Sequence, residues 1–441
     1  MKRNRLVRPL ILLSVLTTAA LPLFGAGFSF FEQGAKATGM AGAFAATADD
    51  PSAIFYNVAG IANIRETTAM AGGTIVTFTA EFESDPFSEF PGGDPDNPIP
   101  GVGIREFYED HTFVLPNTYL VVPIGESMSF GLGVFSPFGL RTDWENGERF
   151  VGRFISQDAS LKVASVQPCF AMRNASGTFA WGIGAEYRRA HVTLERNQLA
   201  LNPFTGRIVD IAHVRLDSDW DSSWGWNAGI LWSPAENWRV GLSHRSEMDI
   251  DFSGDADFQQ IPTGNAQFDA IIGAQLPPDQ AISTSIPFPS FTHFGIATDA
   301  IEDWTVEFDI IRMDWSVFEQ LEVEFAQTPA ANLSVEQNWK DVYSYRLGAN
   351  HPVTDAWDVR LGVLYDENPQ PDEAVGPLLP DSDRIGVSFG FGYHRGPWII
   401  DVTEFILHFK DRSTRGRNQD NFNGTYETSA NLISVNLGYR F

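Results

Sequence analysis

The sequence predicts an all-β fold, a 14-stranded antiparallel transmembrane β-barrel. Strand-length runs that alternate apolar with polar or small residues repeat from Thr67 to the terminal Phe441. The connections between them alternate between short turns and long loops, as in a barrel whose two rims face different compartments. A leader with a basic start, an apolar middle and a small-residue end precedes them. The last ten residues show the pattern: Ile433, Val435, Leu437 and Tyr439 share one parity, and Ser434, Asn436, Gly438 and Arg440 the other. One such strand suits a soluble sandwich equally well, so the ordered repetition is what favours a barrel.

The leader carries Lys2, Arg3, Arg5 and Arg8, then an uncharged stretch from Pro9 to Phe24, then Gly25, Ala26 and Gly27. Residues 1–25 therefore read as a secretory signal peptide. The apolar run falls short of the roughly 20 residues a membrane helix needs, and no second candidate follows. Export without an anchoring helix leaves the periplasm, the outer membrane or the medium.

The chain holds 56 acidic against 30 basic residues, a net charge of −26. Removing the four leader cations makes it more acidic still, so nucleic acid is not an expected partner. Cys169 is the sole cysteine, which rules out an intrachain disulfide and a cysteine-built zinc site. No cofactor or metal is expected. The mean hydropathy of −0.13 excludes a helical membrane protein. It is compatible with a barrel, because alternating residues cancel in any average.

Residues 26–64 are rich in Ala and Gly and lack alternation, so they do not read as wall; residues 65–441 form the expected barrel. Its strands fall near 67–82, 111–124, 127–138, 160–174, 177–194, 213–233, 237–252, 282–299, 302–326, 337–353, 355–366, 383–395, 397–410 and 425–441. Short turns join them around Gly125, Ser176, Ala235, Ile301, Thr354 and Gly396. The longer connections lie near 83–110, 139–159, 195–212, 253–281, 327–336, 367–382 and 411–424. A cylinder this wide leaks unless its bore is filled, and the small residues of 26–64 suit close packing against an inner wall.

Several stretches, in order, resemble the FadL-type outer-membrane transporters of long-chain fatty acids and hydrocarbons. They include Ala26-Gly27-Phe28, Gly39-Met40-Ala41-Gly42-Ala43, Asp49-Asp50-Pro51-Ser52-Ala53, Gly152-Arg153-Phe154, Trp315-Ser316-Val317-Phe318, Asp341-Val342-Tyr343 and Pro380-Asp381-Ser382-Asp383-Arg384. The resemblance covers essentially the whole chain after the leader. It implies an N-terminal hatch inside the lumen, capture of ligand in an apolar extracellular cleft, transfer to an inner pocket beside the hatch, and sideways exit at a kink in the third strand. The family hatch carries Asn-Pro-Ala, where this chain has Asn57-Val58-Ala59. Valine restores the backbone freedom and the N–H that proline removes, so a local difference in path is expected there.

Phe268, Ile271, Ile272 and Leu276 recur at helical spacing, with Phe288 following, and form either an acyl-capturing stripe or a packing face. A carboxylate head in an apolar site needs a cation. The candidates are Arg188 and Arg360, inward by parity, and Arg189 and Arg153 by context; lumen acids such as Glu186, Glu307 and Asp358 compete for them. Pro137 and Gly139 mark either a break in the third strand, hence a lateral gate, or the end of that strand. The histidines stand singly and no serine sits in a nucleophile motif, so no enzyme is expected.

The expected function is passive, ligand-gated uptake of long-chain fatty acids or similar hydrophobic molecules by a monomer in the Gram-negative outer membrane, amid lipid and lipopolysaccharide. The alternatives are a structural or adhesion barrel and a porin for polar solutes.

Overall fold

The computed structural model describes residues 27–86, 88, 90, 103–109 and 111–441; the expected signal segment 1–25 lies outside them. Fourteen wall strands close into one antiparallel barrel. In chain order they are Thr68–Ser84, His111–Ile124, Met128–Phe135, Asp158–Arg173, Phe179–Asn202, Asp221–Ala235, Trp238–Arg245, Phe291–Ile301, Trp304–Met313, Val342–Thr354, Trp357–Asp366, Arg384–Arg395, Trp398–Phe409 and Gly424–Arg440. The last pairs with the first from Thr68↔Arg440 to Ser84↔Gly424, which closes the sheet and removes its edges.

Alternation sorts the two faces. Ile183, Ile230, Leu242, Phe308, Leu347, Phe389 and Val435 point outward and are exposed, forming the lipid-facing belt. Their neighbours of the other parity, such as Asn227, Glu307, Arg346, Ser388, Ser434 and Asn436, are buried in the lumen. No helix of the described residues is long and apolar enough to cross a membrane, so the strands do the crossing.

One rim departs from the expected pattern of strands and loops. The expected strand 213–233 is two strands, Arg207–Ser218 and Asp221–Ala235, and both pair with the long strand Phe179–Asn202, one above the other. The expected loop 195–212 is a hairpin continuing that sheet, and 253–260 of the expected loop 253–281 is strand as well, paired to 212–218 and 280–283. Above this level the outward residues of Met248–Gln260 become Asp249, Asp251, Asp255 and Asp257, all exposed. Charged outward residues have no place in lipid, so this upper storey stands in water; alternation continues because the sheet does, while its outer partner changes.

Residues 27–63 lie inside the cylinder, buried almost throughout, as short helical turns at Ala35–Gly39, Ala53–Tyr56 and Val58–Asn63. Wall side chains satisfy their backbone. The amides of Phe44 and Ala45 donate to Asp309 (2.8 and 3.0 Å), and those of Ala46 and Thr47 to Glu307 (2.6 and 2.8 Å). The Ala41 amide donates to Ser388 Oγ, the Ala35 amide to Asn436, and Gln167 donates to the Ile54 carbonyl. The wall meets this segment with glycine where the main chain comes closest. A Cβ on Gly241 would stand 2.0 Å from the Ala45 carbonyl oxygen, and one on Gly229 would stand 2.1 Å from Asn57 Oδ1.

Candidate functional site

The site forms where the third wall strand breaks. Met128–Phe135 pairs with both neighbours up to Val134 and Phe135. Ser136, Pro137 and Phe138 then leave the ladder, and pairing resumes at Gly139–Asp143 against 158–162 alone. Proline supplies no N–H for a ladder, and here the freed backbone turns inward. The Phe30 amide donates to the Pro137 carbonyl (2.8 Å), the Gly139 amide to the Phe28 carbonyl (2.9 Å), and Gln33 Nε2 to the Ser136 carbonyl (2.6 Å). Phe138 and Ser29 form an antiparallel bridge. Residues 113–117 of the second strand are thus paired only on their other side, to the first strand. The bond from the Glu109 amide to the Asp143 carbonyl (2.9 Å) spans the top of this interruption.

The inward turn builds an aromatic chamber. The Phe28 ring lies 4.6 Å from that of Trp315, 5.8 Å from Trp339, 5.9 Å from Phe288 and Phe318, and 6.0 Å from Phe138. Next to Phe28 is a cavity of about 100 Å³, walled mostly by apolar side chains such as Leu140, Leu161, Val192, Leu194, Ile286, Phe318 and Trp339, with Gln337, Gln370, Gln419 and Asp420 also in its lining. Such a lining takes an apolar guest.

One charged group of the chamber is incompletely paired. Arg188 is 1% exposed, and its guanidinium stands 4.6 Å from the Phe138 ring centre and 5.1 Å from that of Phe288. Nη2 donates to Glu186 (2.8 Å), while Nη1 has no partner among the described residues. Glu186 also receives Arg245 and the Ser165 hydroxyl. Two buried guanidiniums therefore share one carboxylate, leaving a surplus positive charge with an unused donor, an expensive arrangement in a buried site.

The other predicted cations are elsewhere engaged. Arg153 is bound in two places to Asp210 (2.9 and 3.0 Å) and donates to the Phe150 carbonyl. Arg360 donates to Asp401 (2.6 Å), Asp358 (3.0 Å) and Asn350 (2.9 Å). Arg189 points out of the barrel and stacks 5.6 Å from Trp220, a correction that follows from its opposite parity to Arg188.

The predicted apolar stripe is divided. Its helix exists at Ala266–Gln275, capped by Asn265. Phe268 and Ile272 are buried against Ile211 of the neighbouring hairpin, Ile271 is exposed and Leu276 half-buried. The helix therefore spends its buried face on the hairpin, while Phe288 alone of the five joins the chamber. Asn57 is buried, donating to the Ala45 and Ile230 carbonyls and accepting from the Ala59 amide (3.2 Å), with Val58 and Ala59 opening the 3₁₀ turn. Arg245, Phe28, Phe138 and Trp339 are site residues the sequence reading did not single out. Inward parity was the available signal for Arg245; nothing local marks the aromatics as one cluster.

Comparison with known proteins agrees with this architecture. The sequence profile of a family described as outer membrane protein transport protein (OMPP1/FadL/TodX) matches residues 15–441. A long-chain fatty acid transport protein of Salmonella typhi is 26% identical over 98% of this chain and 97% of its own. Among solved structures, a Pseudomonas aeruginosa FadL homologue superposes with a TM-score of 0.81 at 21% identity, covering 94% of this chain and 100% of that one. The toluene transporter TodX of P. putida superposes at 0.72 with 18% identity, covering 92% and 98%.

Proposed function

This chain belongs to the OMPP1/FadL/TodX family of outer membrane transport proteins, and from that premise we propose that it takes up long-chain fatty acids or closely similar amphiphiles passively across the outer membrane. Cargo enters from the upper storey, passes into the chamber beside residues 27–63, and leaves sideways through the interruption at Pro137 to Gly139. Residues 27–63 act as the hatch that keeps the bore closed to ions.

The observation that carries the choice of cargo is the surplus charge of Arg188 under the Phe138 and Phe288 rings, both of which pack on Phe28, a residue of the cavity lining. A carboxylate head completes the pairing of Nη1 while the acyl chain occupies grease, at about 0.8 kcal/mol per buried methylene. A hydrocarbon supplies only the second half. The cavity of about 100 Å³ is smaller than the roughly 150 Å³ that admits benzene in an engineered core. An acyl chain therefore enters only when the chamber opens, and Phe28, on the short segment that precedes the firmly anchored turn at 44–47, is the group that yields.

The test is cargo binding to purified protein in detergent. Arg188→Gln is expected to weaken palmitate roughly 10- to 100-fold, the worth of about 1.5–3 kcal/mol for a charged hydrogen bond, and to leave toluene unaffected. Arg189→Gln, on the outer surface, is expected to change neither. Equal palmitate affinity in wild type and Arg188→Gln removes the assignment.

A further inference from the structure

The interruption in the wall has two lips: residues 113–117 of the second strand, and Ser136 to Phe138 of the third. Each lip carries a buried amide side chain with one atom unpaired, and backbone partners fix which atom that is. On the second strand, Asn117 faces inward, 2% exposed, one residue beyond the ladder pair Thr118↔Val134. The Ala35 amide donates to Asn436 Oδ1 (2.6 Å), so Asn436 Nδ2 is the donor to Asn117 Oδ1 (2.7 Å). Asn117 Nδ2 is thereby left as a donor, and it has no partner among the described residues. At the third strand, Gln33 is fully buried, and its Nε2 donates to the Ser136 and Phe30 carbonyls (2.6 and 3.3 Å). Two carbonyl partners assign that nitrogen, which leaves Oε1 as an acceptor, also without a partner among the described residues. The Gln33 carbonyl accepts the hydroxyl of Tyr119 (2.7 Å), two residues along the second strand from Asn117. Gln33 is thus tied to both lips.

Neither amide bonds a charged side chain among the described residues. A spare donor and a spare acceptor, both buried beside the gap, suit a head group that offers one of each. A carboxylate offers acceptors only, and would set an anionic oxygen against Gln33 Oε1. A neutral carboxylic acid offers its C=O to Asn117 Nδ2 and its O–H to Gln33 Oε1. We propose that Asn117 and Gln33 form an exit site that receives the cargo head as the uncharged carboxylic acid, after Arg188 has held it as the carboxylate. The assignment rests on the sideways route proposed above. On leaving the guanidinium the carboxylate takes one proton from solvent, and no covalent bond of the chain is made or broken. The membrane beyond the gap supplies the physical need, because an ionised head entering hydrocarbon costs far more than a neutral one. The two sites thus order the passage: the charged form is retained, and the neutral form is released into lipid.

The test is barrel-dependent uptake by whole cells, with palmitic acid and hexadecane measured on the same culture. Asn117→Ala is expected to slow the acid about three- to tenfold, the effect of one neutral hydrogen bond, and to leave hexadecane unchanged. The ratio of the two rates does not depend on how much of the variant folds. Palmitate binding to the purified variant in detergent is expected to stay within about twofold of wild type, because Asn117 acts after Arg188. An unchanged ratio overturns the proposal, and so does a loss of binding equal to the loss of rate, which would put Asn117 in the holding site. A second arm needs no variant. Hexadecane-1-sulfonate, whose head stays ionised, is expected to compete with palmitate for binding yet to be taken up at least about tenfold more slowly; uptake as fast as that of palmitic acid overturns the proposal. A disulfide formed in Ser29→Cys with Phe138→Cys separates this failure from a failure of the route. Acid uptake that continues through the disulfide-closed barrel defeats the sideways route and the exit site with it. Uptake that stops there, while Asn117→Ala keeps the wild-type ratio, defeats the exit site alone.

Discussion

At the scale of single residues, parity along a strand decides more than chemical type. Arg188 and Arg189 are adjacent and identical in side chain, yet one is buried under two phenylalanine rings and the other stacks on Trp220 outside the wall. Alternation made that distinction legible from the sequence. What it did not reveal is that Arg188, rather than Arg153 or Arg360, keeps an unused donor, because the outcome depends on Arg245 arriving at Glu186 from a strand 59 residues away. The acids follow the same logic. Asp309 accepts two consecutive amides of the segment inside the bore and is held by His293 Nε2 (2.7 Å). Asp309→Ala leaves those buried amides without an acceptor, at about 1–3 kcal/mol each. It is expected to lower the thermal midpoint in detergent and to raise ion conductance in planar bilayers; an unchanged conductance would mean that Asp309 does not help to seat the segment.

At the scale of elements, irregular points in a strand and a helical face were legible and partners were not. Pro137 and Gly139 marked either an interruption or the end of the third strand, and the spacing from Phe268 to Ile272 marked a helical face. That Ser29 bridges Phe138, or that the helix lies on the 207–218 hairpin, follows from contacts across more than 50 residues that no local pattern encodes. In 253–260, expected as loop, the outward Asp255 and Asp257 break the lipid-facing signature without breaking the strand. The departure at Val58 now has a physical reading. Val58 is the first residue of the 3₁₀ turn Val58–Asn63, where the N–H makes no bond within the turn, and Asn57 before it is already extended (φ −154°, ψ 100°), as a residue preceding proline prefers. Val58→Pro is therefore expected to be accepted, with a gain of about 0.4–1 kcal/mol from the stiffer unfolded chain, seen as an equal or higher thermal midpoint. A clear loss of stability would show that the path of residues 57–63 needs a backbone freedom that proline lacks.

For the whole molecule, closure of the wall and filling of the bore bear together on the proposed route of cargo. The wall ladder closes on itself but is interrupted beside Ser136 to Phe138, where the N-terminal segment bonds the third strand's backbone from inside while residues 113–117 of the second strand keep only their first-strand partners among the described residues. The bore is blocked by residues whose main chain is bonded to several strands at once, so expelling them breaks many bonds together, whereas parting Ser29 from Phe138 breaks few. The proposed sideways route through the third strand makes a specific demand: the bridge between Ser29 and Phe138 has to separate in each cycle. Paired residues on antiparallel strands stand about 4.5–5.5 Å apart between Cα atoms, within the range a disulfide spans. In a Cys169→Ser background, Ser29→Cys with Phe138→Cys is therefore expected to crosslink under oxidation. The oxidised protein is expected to lose fatty acid uptake by whole cells while remaining tight to ions in planar bilayers, and reductant is expected to restore uptake. Each single-cysteine protein is expected to be indifferent to oxidant. Uptake by the crosslinked barrel equal to that of its reduced form would mean that cargo passes without opening this contact, and the route would have to run through the bore past the anchored turn at 44–47.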